Sequence, residues 1–128
     1  MSINSDNKTK ILIIDDNQGI LFVMKQALEL KDHHVRTVSS FEGVDAIVEF
    51  SPDIIFLYVS LADQDGRAVC RELKSNNATK DIPIIMLTAY SDAHKLAKEA
   101  TADDFLSKPF ELEDLWEKTE KYTKQKTT

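Results

Sequence analysis

The stretch that decides the fold runs from Pro52 to Gly66 and reads PDIIFLYVSLADQDG. Its first half is a continuous apolar run that begins after Pro-Asp, and its second half is a polar loop that closes with Asp-Gly. A short, continuous apolar run predicts a strand that is buried on both faces of a parallel sheet. Such a strand carries its last residue to the rim of the sheet, and here that residue is Tyr58.

Strands and helices alternate along the rest of the chain. Apolar, often β-branched segments predict strands at residues 10–16, 34–38, 53–58, 81–89 and 104–107. Apolar positions at the 3.6-residue period predict helices that begin after Asn17, after a capping box of Ser39 and Glu42, at Gly66, after Ser91 and after Pro109. This alternation predicts an α/β fold with a doubly wound parallel sheet, right-handed crossovers and helices on both faces.

Polar residues stand where the predicted strands end. They are Asp15, Asp16, Tyr58, Thr88 and Lys108. In an open parallel sheet, sites form beyond the carboxyl ends of the strands, so these side chains are expected to converge. Two adjacent carboxylates call for a compensating cation, for which Mg²⁺ is suited and to which Lys108 could contribute. The acidic pair alone also allows a simpler interpretation, in which Asp16 caps the first helix and Asp15 is solvated.

Composition limits the class of protein. The 128 residues carry a formal net charge of −6, which argues against a primary nucleic-acid binder. No apolar run approaches the roughly 20 residues that cross a bilayer, and residues 1–9 lack the apolar segment of a signal peptide. The single cysteine, Cys70, excludes an intramolecular disulfide and is expected to pack in or near the core. These features predict a cytoplasmic protein that does not bind membranes.

Four motifs carry a resemblance to the receiver domain of two-component response regulators. They are Ile13–Asn17 (IIDDN), Pro52–Gly66, Pro83–Ala89 (PIIMLTA) and Asp104–Phe110 (DFLSKPF). The resemblance covers residues 8–124 and implies a CheY-like, flavodoxin-like five-stranded sheet with strand order 2-1-3-4-5. It divides the chain into a flexible N-terminus (1–9), a receiver domain (10–124) and a flexible tail (125–128).

The resemblance also implies a chemistry. In that family an aspartate at the end of the third strand accepts a phosphoryl group from a histidine kinase or phosphotransfer protein, with Mg²⁺ bound beside it. The lysine–proline bond before the last helix is expected to be cis. The implied roles are metal ligation by Asp15, Asp16 and the Ser60 carbonyl, phosphoryl contact by Thr88 and Lys108, and an aromatic switch at Phe105 coupled to Thr88.

Tyr58 departs from this pattern, because it stands at the phospho-acceptor position in place of aspartate. A phenol has an ordinary pKa of about 10 and is neutral at pH 7, which makes it a poor nucleophile and a poor Mg²⁺ ligand. Asp53 is expected at the opposite end of the strand and Asp63 in the loop, so neither replaces it. Ala62 and Thr101 stand where the family usually has a loop proline and a glycine. We therefore predict weak or absent phosphoryl acceptance, and weakened or absent Mg²⁺ binding.

Three interpretations are open at this point. The first is a degenerate receiver, monomeric or weakly dimeric, that docks a downstream protein through its fourth helix, fifth strand and fifth helix without control by phosphorylation. The second is a normal receiver with an introduced acceptor substitution, which the retained acids, Thr88 and Lys108 favour. The third is a small α/β enzyme or flavin binder, which the lack of a glycine-rich phosphate loop after the first strand disfavours. No output domain is recognised, so the chain either acts alone or comes from a longer one.

Overall fold

The computed structural model describes residues 8–89 and 101–123. In chain order its elements are β1 (Lys10–Ile14), α1 (Gln18–Glu29), β2 (His34–Val38), α2 (Val44–Phe50), β3 (Ile54–Tyr58), α3 (Gly66–Ser75), β4 (Ile84–Ala89), β5 (Asp104–Lys108) and α4 (Leu112–Thr123). The helix predicted after Ser91 lies outside the described residues. The helix labelled α4 is therefore the fifth of the predicted helices.

The five strands form one parallel sheet in the order β2-β1-β3-β4-β5, which confirms the predicted fold class. The chain passes from β1 to β2 and then crosses to β3 on the other side of β1. The carboxyl ends of β1 and β3 consequently lie side by side, with Ile14 paired to Leu57. Farther along, Ala89 at the end of β4 pairs with Lys108 at the end of β5. The reversal of strand order between β1 and β3 opens the edge at which sites form in such sheets.

Each face of the sheet has its own apolar core. Successive residues of a strand point to opposite faces, so the same strands supply both cores. The core under α1 and α4 includes Ile13, Met24, Leu28, Phe56, Leu87 and Leu115. The core under α2 and α3 includes Leu12, Ile47, Phe50, Leu57, Val69, Cys70, Leu73 and Met86. Cys70 is fully buried, as predicted.

The predicted start of α2 is wrong. The helix begins at Val44, after an N-cap at Gly43 that makes no side-chain capping hydrogen bond. Gly43 has a φ of 104°, a conformation that glycine adopts without steric cost and that holds the preceding residues in a loop. Within that loop the Ser40 hydroxyl donates to the Glu42 carboxylate at 2.7 Å. The capping-box spacing of Ser39 and Glu42 is therefore present in the sequence but not used.

Other local predictions are supported by the backbone. Asn17 caps α1, because its side-chain oxygen accepts the amide hydrogen of Ile20 at 3.0 Å, as predicted. The Lys108–Pro109 bond is cis, also as predicted. Thr101 has a φ of 59°, a region that is unfavourable for a β-branched side chain and natural for glycine. This backbone conformation gives a physical reason for a glycine at the same position in similar sequences.

Candidate functional site

Asp15 is the buried charge of the carboxyl edge. It comes directly after β1, and its side chain is completely shielded from solvent. Its Oδ1 atom accepts the amide hydrogen of Asn17 at 3.0 Å, while Oδ2 lies 2.8 Å from the Nζ atom of Lys108. The second contact has the distance of an ion pair without the alignment of a hydrogen bond, so we treat it as an ion pair. The interpretation in which Asp15 is merely solvated is wrong.

Asp16 contacts a different part of the chain from Asp15. Its Oδ2 atom accepts the amide hydrogen of Ala62 at 2.6 Å, which ties the end of β1 to the loop after β3. It does not cap α1 either, since Asn17 fills that position. The two adjacent carboxylates thus have different partners. Asp15 contacts the Asn17 amide and the Lys108 ammonium, whereas Asp16 contacts the Ala62 amide.

Tyr58 ends β3 and is partly buried next to both apolar cores. The Nζ atom of Lys108 lies 3.5 Å from the centroid of its ring. An ammonium group this close to an aromatic face is attracted by the negative face of the ring, and the attraction grows where water is excluded. The Lys108 side chain is only 17% exposed. Lys108 therefore has the Asp15 carboxylate and the Tyr58 ring as simultaneous partners.

The loop between β3 and α3 is fixed by close backbone packing. Gly66 donates its amide hydrogen to the Val59 carbonyl at 2.9 Å. A Cβ atom at position 66 would overlap the Tyr58 carbonyl oxygen and lie 2.8 Å from Val59 Cα. Only glycine fits there without moving the backbone. The start of α3 is thereby pressed against the end of β3, which sets the path of the loop beside Tyr58.

Gln64 joins two loops of this edge. Its Oε1 atom accepts the amide hydrogen of Phe41, and its Nε2 atom donates to the carbonyl oxygen of Phe41, both at 2.9 Å. The side chain thus pairs with a backbone amide as a neighbouring strand would, and it bridges the β3–α3 and β2–α2 loops. No sequence pattern singles out Gln64, because a glutamine in a polar loop carries no spacing signal.

Thr88 is completely buried near the end of β4. Its Oγ1 atom has no hydrogen-bond partner among residues 8–89 and 101–123. A buried hydroxyl without a partner is costly, and such groups are rare in folded proteins. Phe105 on β5 pairs with Met86 of β4 in the register of the sheet, and its ring is partly buried. The predicted switch residues thus lie on adjacent strands.

The two carboxylates at this edge already have protein partners. Mg²⁺ takes carboxylate and carbonyl oxygens in near-octahedral geometry and gives up its water reluctantly. Within the described ranges, no group of three or more His, Cys, Asp or Glu side chains could hold a metal ion. Asp15 is already paired with an ammonium and Asp16 with a backbone amide. Tyr58, at the end of β3 between β1 and β4, contributes an aromatic ring instead of a carboxylate.

The parallel sheet and the polar residues at its carboxyl edge define a doubly wound α/β domain with a candidate site at that edge. A family model for the response regulator receiver domain matches residues 11–120. The chain therefore belongs to the response regulator receiver domain family. In the part of the chain that the structure describes, no helix is long and apolar enough to cross a membrane.

Curated relatives include transcriptional regulators. The chain is 36% identical over 109 residues to the DNA-binding dual master transcriptional regulator RpaA of Synechocystis, a match that covers 83% of this chain and 45% of RpaA. It is 38% identical over 116 residues to the transcriptional regulatory protein GltR of Pseudomonas aeruginosa, covering 87% of this chain and 47% of GltR. The chain thus spans about half the length of the curated relatives it matches.

Solved structures share the whole fold. A two-component response regulator from Clostridium difficile superposes with a TM-score of 0.82 at 30% identity, covering 94% of this chain and 100% of that one. The receiver domain of the sensor histidine kinase PA1611 of Pseudomonas aeruginosa has a TM-score of 0.81 at 24% identity, covering 90% and 97%. That receiver was solved with a magnesium ion coordinated in its active-site cleft.

Proposed function

We propose that this receiver domain serves two-component phosphorelay signalling as a protein-interaction module that accepts phosphoryl groups weakly or not at all. The observation that carries the proposal is the Tyr58 ring at the end of β3, with Lys108 Nζ 3.5 Å from its centroid. In the family, this strand end carries the phospho-acceptor aspartate, and we assign Tyr58 to that position. The family membership also favours a receiver over a small α/β enzyme or flavin binder.

The chemistry of the available groups supports this assignment. An acyl phosphate forms on a carboxylate, and a neutral phenol does not replace that nucleophile. Asp53 lies at the amino end of β3, where it accepts the amide hydrogen of Lys10 at 2.8 Å. Asp63 lies in the loop between β3 and α3. Neither carboxylate takes the place of an acceptor at the end of the strand.

We extend the proposal to the metal. Asp15, Asp16 and the carbonyl of Ser60 would hold Mg²⁺, and we expect them to bind it more weakly than a site with a third carboxylate. When bound in such a site, Mg²⁺ neutralises the developing charge of the transferred phosphoryl group. The magnesium ion in the PA1611 receiver supports this location through the shared fold alone. The engaged state of both carboxylates here supports weakened binding.

Thr88 and Phe105 would form the switch. The unpartnered Thr88 hydroxyl suits a group that donates to a phosphoryl oxygen, and Lys108 would contact the same phosphoryl group. Movement of the hydroxyl would open space for the Phe105 ring to turn inward, a two-state element biased by local charge. With Tyr58 in the acceptor position, we propose that the bulky ring holds this element at its intrinsic bias.

The proposed partners come from the family. A histidine kinase or phosphotransfer protein would meet the acceptor edge. A downstream protein would dock on the face formed by β5, α4 and the helix predicted after Ser91, which lies outside the described residues. We expect residues 10–124 to act as one cytoplasmic domain, monomeric or weakly dimeric, without binding nucleic acid or membranes.

Labelling by a small phosphoryl donor tests the proposal without a kinase. The chain, Tyr58→Asp and Tyr58→Asn would be incubated with radiolabelled acetyl phosphate and Mg²⁺. We expect label on Tyr58→Asp alone, since only that variant has a carboxylate at the end of β3. Tyr58→Asn is the matched control, because asparagine has the shape of aspartate without its nucleophile. Equal labelling of the chain and of Tyr58→Asp would refute the proposal.

The same variant examines the second interpretation and the switch. Asp15, Asp16, Thr88 and Lys108 are all retained at the carboxyl edge, which supports a receiver that would regain function when the acceptor returns. With Mg²⁺ and a phosphoryl mimic, a structure of Tyr58→Asp should show Thr88 with a new partner and Phe105 turned inward. Identical Thr88 and Phe105 positions in the two proteins would contradict the switch.

A further inference from the structure

Lys108 is a largely buried cation of the carboxyl edge, with its side chain 17% exposed. Its ammonium lies 2.8 Å from Asp15 Oδ2 on one side and 3.5 Å from the Tyr58 ring centroid on the other. The carboxylate comes from the end of β1, the ring from β3 and the ammonium from β5. Three strand ends therefore meet at one charge, which compensates the buried Asp15 carboxylate.

We propose that Tyr58 and Asp15 clamp Lys108 as the permanent counter-cation of the buried Asp15 carboxylate, so that the Lys108 ammonium takes the part that a divalent cation would otherwise play beside Asp15. This inference rests on the proposed function, because it concerns the same acidic pair. It assigns Tyr58 a positive role. The residue is a positioning group for Lys108 and not only a missing carboxylate.

The ring is what makes the clamp effective. A lysine side chain has four carbon atoms between backbone and charge and spreads over many rotamers when it has one partner. The face of Tyr58 limits these rotamers and removes water from the ammonium, which strengthens both its attraction to the ring and its pairing with Asp15. A Mg²⁺ ion would have to displace this ammonium from a fully buried carboxylate and also shed part of its own water.

The clamp also restrains the segment after β5. Lys108 is the last residue of that strand, Pro109 follows it, and α4 begins at Leu112. Anchoring Lys108 to β1 and β3 fixes the point from which the β5–α4 connection departs. The face proposed for the downstream partner would then keep one arrangement regardless of Mg²⁺ or a phosphoryl donor.

Two substitutions separate a clamp from a missing ligand. Tyr58→Phe keeps the aromatic face and removes only the hydroxyl, whereas Tyr58→Leu removes the face and adds no oxygen. If Tyr58 acts only by lacking a carboxylate, the two variants bind Mg²⁺ equally poorly. If the ring clamps Lys108, Tyr58→Leu frees Asp15 for the metal and binds Mg²⁺ roughly tenfold more tightly than Tyr58→Phe, in keeping with a partly desolvated cation–π contact.

The measurement is calorimetric titration of MgCl₂ into the chain and into both variants. Tyr58→Phe should match the parent chain, and Tyr58→Leu should bind more tightly. Equal Mg²⁺ affinities of the two variants would overturn the clamp. The labelling result with Tyr58→Asp would stand in that case, so failure of the clamp is distinguishable from failure of the proposed function.

A second measurement needs no variant that must fold. Protons above the face of an aromatic ring resonate upfield, so the ε-methylene protons of Lys108 should be displaced upfield in the parent chain relative to those of Lys25, which pairs with Glu29 on the surface. The displacement should persist when MgCl₂ is added, because the clamped ammonium resists displacement from Asp15 by the metal ion. An ordinary Lys108 shift, or loss of the displacement on adding MgCl₂, would overturn the proposal.

Discussion

The two ends of the same parallel sheet treat polar groups in opposite ways. At the amino end, Asp53 accepts the amide hydrogen of Lys10, and Asp103 accepts that of Ile84, both at 2.8 Å. At the carboxyl end lie both buried side-chain oxygens that have no hydrogen-bond partner among the described residues, Asp15 Oδ2 and Thr88 Oγ1. Apolar packing is continuous between the two ends, so the difference is confined to the rims.

This difference indicates that the polar groups of the amino rim stabilise the fold, whereas two oxygens of the carboxyl rim are left without hydrogen bonds. A buried hydroxyl without a hydrogen bond, such as that of Thr88, weakens the fold because it has lost its water. Asp15 Oδ2 is compensated only by the ion pair with Lys108. The amino rim avoids this cost with backbone amides and lysines. At the carboxyl rim this cost is present, in the neighbourhood of the acidic pair and Lys108. We therefore expect matched substitutions at the two rims to have unequal effects on stability.

The largest inequality should come from two lysines of equal exposure. Lys108 and Lys74 are each 17% exposed, and each pairs with one aspartate. Asp15 is completely buried, whereas Asp103, the partner of Lys74, is 36% exposed and can be rehydrated. Lys108→Met should lower the free energy of unfolding by about 3 kcal/mol, because it leaves a buried carboxylate uncompensated.

The matched variant Lys74→Met should cost about 1 kcal/mol, the range of a partly exposed pair and its hydrogen bonds. Urea unfolding at pH 7 in the presence of EDTA measures both, and EDTA prevents a metal from replacing the lost cation. A larger cost for Lys74→Met than for Lys108→Met would break the comparison between the rims.

Sequence reasoning reaches the carboxyl rim because strand ends are easy to recognise. Each apolar run stops at a polar residue, and the parallel sheet brings these residues together. Asp15 and Lys108 are far apart in the chain and meet at 2.8 Å in the fold. The same reasoning places Asp53 at the opposite rim, where the structure has it. The pattern of apolar runs in the sequence therefore predicts the edge of the sheet on which a residue lies.

The contacts within the rim are beyond such reasoning. The position of Lys108 over the Tyr58 ring depends on rotamers of two side chains from different strands, and spacing does not encode them. The pairing of Gln64 with Phe41 depends on how two loops approach each other. The predicted start of α2 is wrong for a related reason, since the backbone conformation of Gly43 overrides a capping pattern that is valid on its own.

The next largest change in the free energy of unfolding should come from substituting Asp104, a carboxylate of the amino rim. Asp104 accepts from the Lys118 ammonium, the Phe105 amide and the Tyr122 hydroxyl, at 2.8–2.9 Å. Burial alone would raise the pKa of Asp104, but these hydrogen bonds outweigh it and hold the pKa below its ordinary value. Asp104→Asn should lower the free energy of unfolding at pH 7 by about 2 kcal/mol, a usual contribution of hydrogen bonds to a charged group.

The stabilisation that Asp104 contributes should depend on pH in a defined direction. Because the folded-state pKa of Asp104 lies below the unfolded-state value, its stabilisation is present above that value, near pH 4, and is lost as the pH falls through the folded-state pKa. The stability difference between the parent chain and Asp104→Asn should stay constant from about pH 7 to pH 5 and then shrink. Tyr122→Phe, which removes one donor, should give a smaller difference. A difference that grows on acidification would contradict the assignment.

The smallest effect, and the most direct comparison of the rims, should come from two buried threonines. Thr79 lies in the α3–β4 loop toward the amino rim, is 1% exposed, and donates to the Leu73 carbonyl at 2.6 Å. Thr88 is equally buried, but its hydroxyl has no hydrogen-bond partner in the described chain. Thr79→Val should cost about 1 kcal/mol, the net value of one hydrogen bond.

Thr88→Val should be neutral or stabilising by up to about 1 kcal/mol, because it removes a desolvated hydroxyl and keeps the shape and β-branching of the side chain. Chemical denaturation of the two variants and the parent chain measures both changes under one condition. A loss of stability in Thr79→Val without a loss in Thr88→Val would support stabilisation by the polar groups of the amino rim and not by the Thr88 hydroxyl. A loss of stability in Thr88→Val as large as that in Thr79→Val would mean that the Thr88 hydroxyl has a partner in solution.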